Sequence, residues 1–122
     1  GIEDRVSFIP AIKDVETHYT TSSFYCLSSR FEGLPMVLLE AQAFGLPVIA
    51  FDCDTGPSEL IKDAFNGWLV EDGNVSSLSN QLIKCINIDE DSYRKKIDNT
   101  YTLSKNFTIK EIVRKWIMIL ES

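Results

Sequence analysis

The sequence has no apolar run approaching the roughly 20 residues that a membrane-spanning helix needs. Its opening from Gly1 carries no signal-peptide pattern. It has no surplus of positive charge either: 12 Lys and Arg stand against 18 Asp and Glu, a formal net charge of −6. Binding along a phosphate backbone needs a basic face, so nucleic acid is excluded as the main partner. Cysteine is sparse and odd in number. Cys26, Cys53 and Cys85 form no C-x-x-C and read as reduced thiols of a cytosolic protein, not as a disulfide frame. Internal repeats and low-complexity linkers are absent, and histidine occurs once, at His18. What is there is ordinary for a globular chain, 44% hydrophobic and 25% charged residues, which excludes disorder. At 122 residues there is room for one domain with a real core and no more.

Alternating apolar and helical stretches organise the chain. "RVSFI" (Arg5 to Ile9) alternates and is β-rich, which predicts a short strand, and it starts so soon after Gly1 that the chain reads as a piece of something longer. Asp14 is placed to cap a helix in which Val15 and Tyr19 share a face. "SFYCLS" (Ser23 to Ser28) and "PVIAF" (Pro47 to Phe51) are continuous apolar runs of strand length, as expected of strands buried on both faces. Between them a helix is predicted from Pro35 to Phe44, with Gly45 as its C-cap. A short helix opens at Pro57, "FNG" is a turn, and "WLV" (Trp68 to Val70) is a strand. Three helices follow. The first carries the stripe Val75, Leu78, Leu82, Ile83 and Ile86, and the second is a polar helix over Asp89 to Leu103. The last opens at the capping box Thr108-x-x-Glu111, with Ile109, Ile112, Val113, Trp116, Ile117 and Leu120 at helical spacing. This order predicts an α/β, Rossmann-like, doubly wound parallel sheet with a helical C-terminus.

The segment "RFEGLPMVLLEAQAFGLPVIAF" sets Glu32 and Glu40 with seven residues between them in a stretch that otherwise reads as core. A glutamate is almost never fully buried without a partner, so Glu40 either faces water or is met by a polar group. Ligands of such sheets bind beyond the carboxyl ends of the strands, where loops enter helices. With Pro35 as the first helical residue, the N–H groups of Met36, Val37 and Leu38 point out of the helix end, an anion site suited to a diphosphate. Gly33 admits close approach to the backbone. Helical side chains tilt toward the N-terminus, which brings Glu40 toward the same end as Glu32. Carboxylates repel phosphate but accept paired hydrogen bonds from vicinal hydroxyls. One glutamate for each of the two sugars flanking a diphosphate fits, with Glu40 on the ribose.

"SSRFEGLPMVLLEAQAFGLPVIAFD" resembles the E-x7-E segment of the retaining family 4 glycosyltransferases of GT-B fold, and "RVSFI", "TGPSELI" and "NGWLVEDGN" recur around it in the expected order. The resemblance covers nearly the whole chain. It implies the C-terminal, nucleotide-sugar-binding domain of such an enzyme, with the N-terminal acceptor domain absent. It also implies transfer of a hexosyl group from a UDP- or GDP-sugar to a glycan or lipid-linked acceptor, with retention. Glu32 then contacts the donor sugar as the catalytic residue, the backbone of Gly33, Leu34, Met36 and Val37 binds the diphosphate, and Glu40 holds the ribose. Ile9 and Pro10 fall near the nucleobase. Two departures stand out. Pro35 replaces a frequent glycine and removes an amide, and Pro10 replaces the usual glycine after the first strand, which leaves base preference open. "DCDTGPSELI" is most similar to bacterial members that build capsule, exopolysaccharide or lipopolysaccharide at the cytoplasmic face of the membrane, so peripheral membrane association is expected.

Competing readings exist for several of these residues. Asp52–Asp54 imitates the D-x-D metal site of the other main glycosyltransferase fold, but its context matches the metal-independent family, so no cofactor is expected. His18 reads as a surface residue. Arg94, Lys95 and Lys96 read as a solvated face with weak affinity for anionic lipid. The Trp116 stripe is core packing or, by resemblance, a helix leaning on the absent domain. A stand-alone nucleotide-sugar-binding module without transferase activity is the alternative function. A sugar-nucleotide epimerase would need acid/base residues that are not found. The chain by itself is expected to be inactive, and without the strands that would precede "SFYCLS" its sheet must re-pair, expose an edge or recruit another copy.

Overall fold

The structure is a computed structural model that describes Gly1–Ser122. Three parallel strands form its centre in the order β1 (Tyr25–Leu27), β2 (Val48–Asp52), β3 (Gly67–Glu71). Tyr25 pairs with Val48, and Val48 in turn with Gly67. The helices are α1 (Glu16–Thr21), α2 (Met36–Ala43), α3 (Pro57–Leu60), α4 (Val75–Ile86), α5 (Glu90–Ser104) and α6 (Ile109–Leu120). Only β2 is flanked by strands on both sides, and its residues from Val48 to Phe51 are buried. Alternate side chains of β2 feed two clusters. Val48 and Ala50 join Leu38, Ala41, Leu46, Leu60, Ile61 and Tyr19 on one face. Ile49 and Phe51 join Leu78 and Cys85 on the other. Helices therefore cover both faces, as the alternating pattern predicts.

α2 ends as expected. Gly45 has φ +77°, which an L side chain adopts only at a cost. Its N–H bonds the Gln42 carbonyl at 3.0 Å, while Leu46 N–H reaches back to Ala41 at 3.1 Å. This is the paired closure that a left-handed residue after a helix permits. Its start differs from expectation. Pro35 is the N-cap, with extended backbone (ψ 94°), and its carbonyl accepts the Leu38 N–H at 2.9 Å. Leu38 is therefore spent inside the helix and gives nothing to an anion. Asp14 does cap the first turn of α1, accepting from Thr17 N at 3.3 Å and Thr17 Oγ1 at 2.7 Å.

Four expectations are overturned. "RVSFI" is not a strand: a single helical turn at Glu3–Arg5 leads into extended, unpaired chain in which Phe8 is 96% exposed. Alternation states what a neighbouring strand would bury, and here no strand lies alongside. β1 is shorter than the predicted run and is not buried on both faces, because its outer edge has no partner and Cys26 is exposed. Within the chain "RVSFI" does not pair with β1, whose outer edge is exposed. The α6 stripe is not core, since no residue of α6 is buried. Finally, the α4 stripe reaches the core only at Leu78 and, in part, Leu82; Cys85 joins them there, while Val75, Ile83 and Ile86 stay exposed.

Candidate functional site

The carboxyl end of β1 leads through residues 28–35 into α2, so the two glutamates sit on either side of a helix start. Glu32 is half-buried and Glu40 exposed. A polar group does meet Glu40: the Tyr19 hydroxyl donates to its Oε2 at 3.0 Å. Tyr19 is only 7% exposed and stacks on Phe44, with ring centroids 5.4 Å apart. Burial, together with the hydrogen bond to Glu40 and its charge, pushes the Tyr19 phenol up to about 12. Tyr19 therefore stays a donor across the physiological range. Burial also raises the Tyr25 phenol, and the charges of Glu40 and then Glu32 raise it further. Both carboxylates thus act on one phenol. Oε1 of Glu40 has no partner within the chain, and a carboxylate offers about four lone-pair sites, so it retains the capacity to accept from a vicinal diol.

Four amides between the glutamates, those of Gly33, Leu34, Met36 and Val37, have no backbone partner, whereas Leu38 has one. With the dipole of α2 they form a donor set open to an anion. The loop that carries them is held from the side by the β2–α3 connection. Thr55 Oγ1 donates to the Glu32 carbonyl. Gly56 packs against Gly33 and Pro35, and Cys53, buried, donates its thiol to the Thr55 carbonyl at 3.7 Å. Arg30 lays its guanidinium against the turn at Gly73, where an added Cβ would lie 3.6 Å from Nε.

Other predicted residues are not brought in. Ile9 and Pro10 lie exposed on the extended N-terminal segment, with no hydrogen bond to the Glu32–Glu40 stretch. His18 is exposed on α1. Asp52 and Asp54 are exposed at the end of β2, and no group of three or more metal-ligating side chains gathers around them. Arg94 pairs with Glu90 at 2.5 Å. Lys96 is not part of a solvated face: it is half-buried, with its ammonium 4.9 Å from the Trp68 ring centroid. Clefts of about 360, 370 and 260 Å³ open elsewhere, and none is lined by Glu32, Gly33 or Glu40. The site is an open face, not a pocket. No helix is long and apolar enough to cross a membrane.

Sequence reasoning missed Tyr19, Thr55 and Gly56 as parts of this face. The only available signal for Tyr19 was the need of a glutamate in an apolar segment for a polar partner. The two others sit in a "TGP" turn whose neighbour in space is 23 residues away.

Residues 1–102 match the family model described as glycosyl transferases group 1. The chain is 42% identical over 119 residues to an uncharacterized glycosyltransferase of Haemophilus influenzae, covering 98% of this chain and 33% of that protein. It is 34% identical over 119 residues to the amylovoran biosynthesis glycosyltransferase AmsD of Erwinia amylovora, again with 98% and 33% coverage. The crystal structure of Anabaena HepE in complex with UDP superimposes with a TM-score of 0.87 at 25% identity, covering 98% of this chain and 33% of that one. The chain thus spans about a third of the length of the curated relatives it matches, and its structural neighbours are GT-B enzymes. The α/β sheet and the matched motifs lead to one conclusion: the chain belongs to the glycosyl transferases group 1 family.

Proposed function

We propose that this chain is the donor-binding domain of a retaining hexosyltransferase that uses a UDP- or GDP-sugar to extend a glycan or lipid-linked acceptor in bacterial surface-polysaccharide synthesis. The observation that carries the reading is the placement of Glu32 and Glu40 on either side of four unpartnered amides at the start of α2. The UDP held by HepE, which shares this fold, supports a uridine nucleotide as donor. When the glycosidic bond to the diphosphate breaks, negative charge grows on the phosphate oxygens. The amides of Gly33, Leu34, Met36 and Val37 are oriented donors for that charge, and such preorganised donors are worth most where charge develops. Glu32 orients the donor sugar and offsets the positive charge arising at its ring. Glu40, steadied by Tyr19, accepts from the ribose hydroxyls. Acceptor binding and the rest of the cleft belong to further parts of the enzyme, so this chain alone turns over no donor. Its place of work is the cytoplasmic face of the membrane, by peripheral association.

Glu40→Gln in the full-length enzyme tests the ribose assignment. The neutral amide keeps one accepting atom where the carboxylate has two, and loss of a charged hydrogen bond corresponds to about 1.5–3 kcal/mol weaker nucleotide binding by calorimetry. Unchanged UDP and GDP affinity would end the assignment. The reading also expects transfer to survive EDTA; abolition with rescue by Mn²⁺ would instead return the diphosphate to a metal at Asp52 and Asp54.

A further inference from the structure

We infer that the Thr55–Gly56 turn is the positioning element of the donor loop, setting which way the diphosphate-binding amides face. The inference rests on the donor-site reading above. All peptide bonds of the chain are trans, so in each peptide unit the C=O and N–H point in opposite directions. Thr55 Oγ1 donates to the carbonyl of Glu32, which ties that oxygen to the β2–α3 connection. The N–H of the same peptide unit belongs to Gly33, and it is therefore turned away from that connection. The next unit is fixed in the same sense by shape. A Cβ at Gly56 would overlap the Gly33 carbonyl oxygen and lie 2.5 Å from Pro35 Cδ. That oxygen thus rests on the bare backbone of Gly56, and the Leu34 N–H faces the opposite way. Both amides lack a partner within the chain.

Gly56 meets a second requirement at the same point. Its φ of +95° is a conformation that L side chains rarely adopt, and it is also the N-cap of α3. Cys53 fixes the turn from below through its thiol bond to the Thr55 carbonyl. Thr55 itself is exposed, so its hydroxyl can be removed with little effect on the core. Its substitution reads out loop position and not folding.

The test uses the full-length enzyme, with UDP calorimetry and donor kinetics. Thr55→Val, which keeps the shape and removes the donor, is expected to weaken UDP binding and raise the donor KM by about 3- to 10-fold, the net effect of one hydrogen bond. Its melting temperature stays near that of the parent. Thr55→Ser restores the hydroxyl and the affinity, which a purely structural role of the methyl group would not do. Gly56→Ala is expected to lose about 100-fold or more, and because it carries backbone strain, the Thr55 pair decides the matter if that variant fails to fold. Parental UDP affinity in Thr55→Val, with Glu40→Gln still impaired, overturns the inference and leaves the donor site standing. No UDP or GDP binding by the parent enzyme overturns both.

Discussion

α4 and α6 are both 12 residues long and both carry an apolar stripe, yet they have opposite fates. α4 lies on the sheet, where Leu78 and Cys85 are buried with Ile49 and Phe51, and its N-cap Asn74 accepts from Ser77 N at 2.9 Å. α6 is capped just as well in kind, by Thr108 accepting from Glu111 N at 3.4 Å, and its stripe holds six apolar residues against five. It buries nothing: Ile109 is 84% exposed and Trp116 60%. Helical periodicity says where an apolar face will be, while the presence of a surface to receive it is a separate matter. The same division separates residues 1–18, all exposed, from the chain between Tyr19 and Thr100, which holds every buried residue.

The comparison breaks most readily at the stripe itself. Leu78→Ala should cost about 2–4 kcal/mol in urea unfolding, because the cavity is walled by the sheet. Leu120→Ala on α6 should stay within about 0.5 kcal/mol, as surface substitutions do. A cost at Leu120 equal to that at Leu78 would show that α6 is packed in solution.

A smaller loss is expected where α5 clamps the end of α2. Gly45→Ala must place a side chain at φ +77° and 2.5 Å from Tyr101 Cε2, whose hydroxyl donates to the Phe44 carbonyl at 3.2 Å. The left-handed backbone alone costs about 1–2 kcal/mol, and thermal unfolding measures it. No change would mean that Gly45 leaves the left-handed region in solution.

Tyr19→Phe should lower stability by about 0.5–1.5 kcal/mol at neutral pH, the net worth of its hydrogen bond to Glu40. Its pH dependence has a definite sign. The folded phenol titrates at about 12 and the unfolded one near 10, so the folded state binds more protons between these values. The contribution is complete below pH 10 and disappears as pH rises toward 12. Unfolding curves of parent and variant should therefore converge at alkaline pH. Equal stability of parent and variant at neutral pH would mean that Tyr19 acts through stacking on Phe44 alone.

The smallest effect is expected inside the core. Gln42 is fully buried, with Nε2 bonded to the Leu60 carbonyl at 3.0 Å and Oε1 without a partner. The Leu60 carbonyl keeps Asn66 Nδ2 at 3.1 Å when Gln42 is replaced. Gln42→Leu removes an unsatisfied buried acceptor, so its stability should match the parent within about 0.5 kcal/mol. A loss above 2 kcal/mol would reveal that Oε1 is engaged in solution.

Much of this was legible before any coordinates. The α/β order, the strand cores at Val48–Phe51 and Trp68–Val70, the Gly45 stop and the cap at Thr108 all follow from period and local chemistry. So does the bracketing of a helix start by Glu32 and Glu40, since their spacing is covalent. Local patterns, however, describe what each segment can do with a suitable neighbour. "RVSFI" and the α6 stripe carry sound patterns and find no neighbour. The Pro35 N-cap was misplaced by one residue because a proline fits both positions, and the choice was made by its carbonyl bonding Leu38.

What the sequence determined by itself is the kind of fold, the family motif and the bracketing of a helix start by Glu32 and Glu40. What only the tertiary structure decided is how those residues are held. Tyr19 reaches Glu40 across 21 residues and Thr55 reaches Glu32 across 23. Both contacts exist because parallel pairing of β1 with β2 sets α1, α2 and the β2–α3 turn side by side. No local propensity encodes such a meeting, since its energy arises only after distant segments have been brought into register.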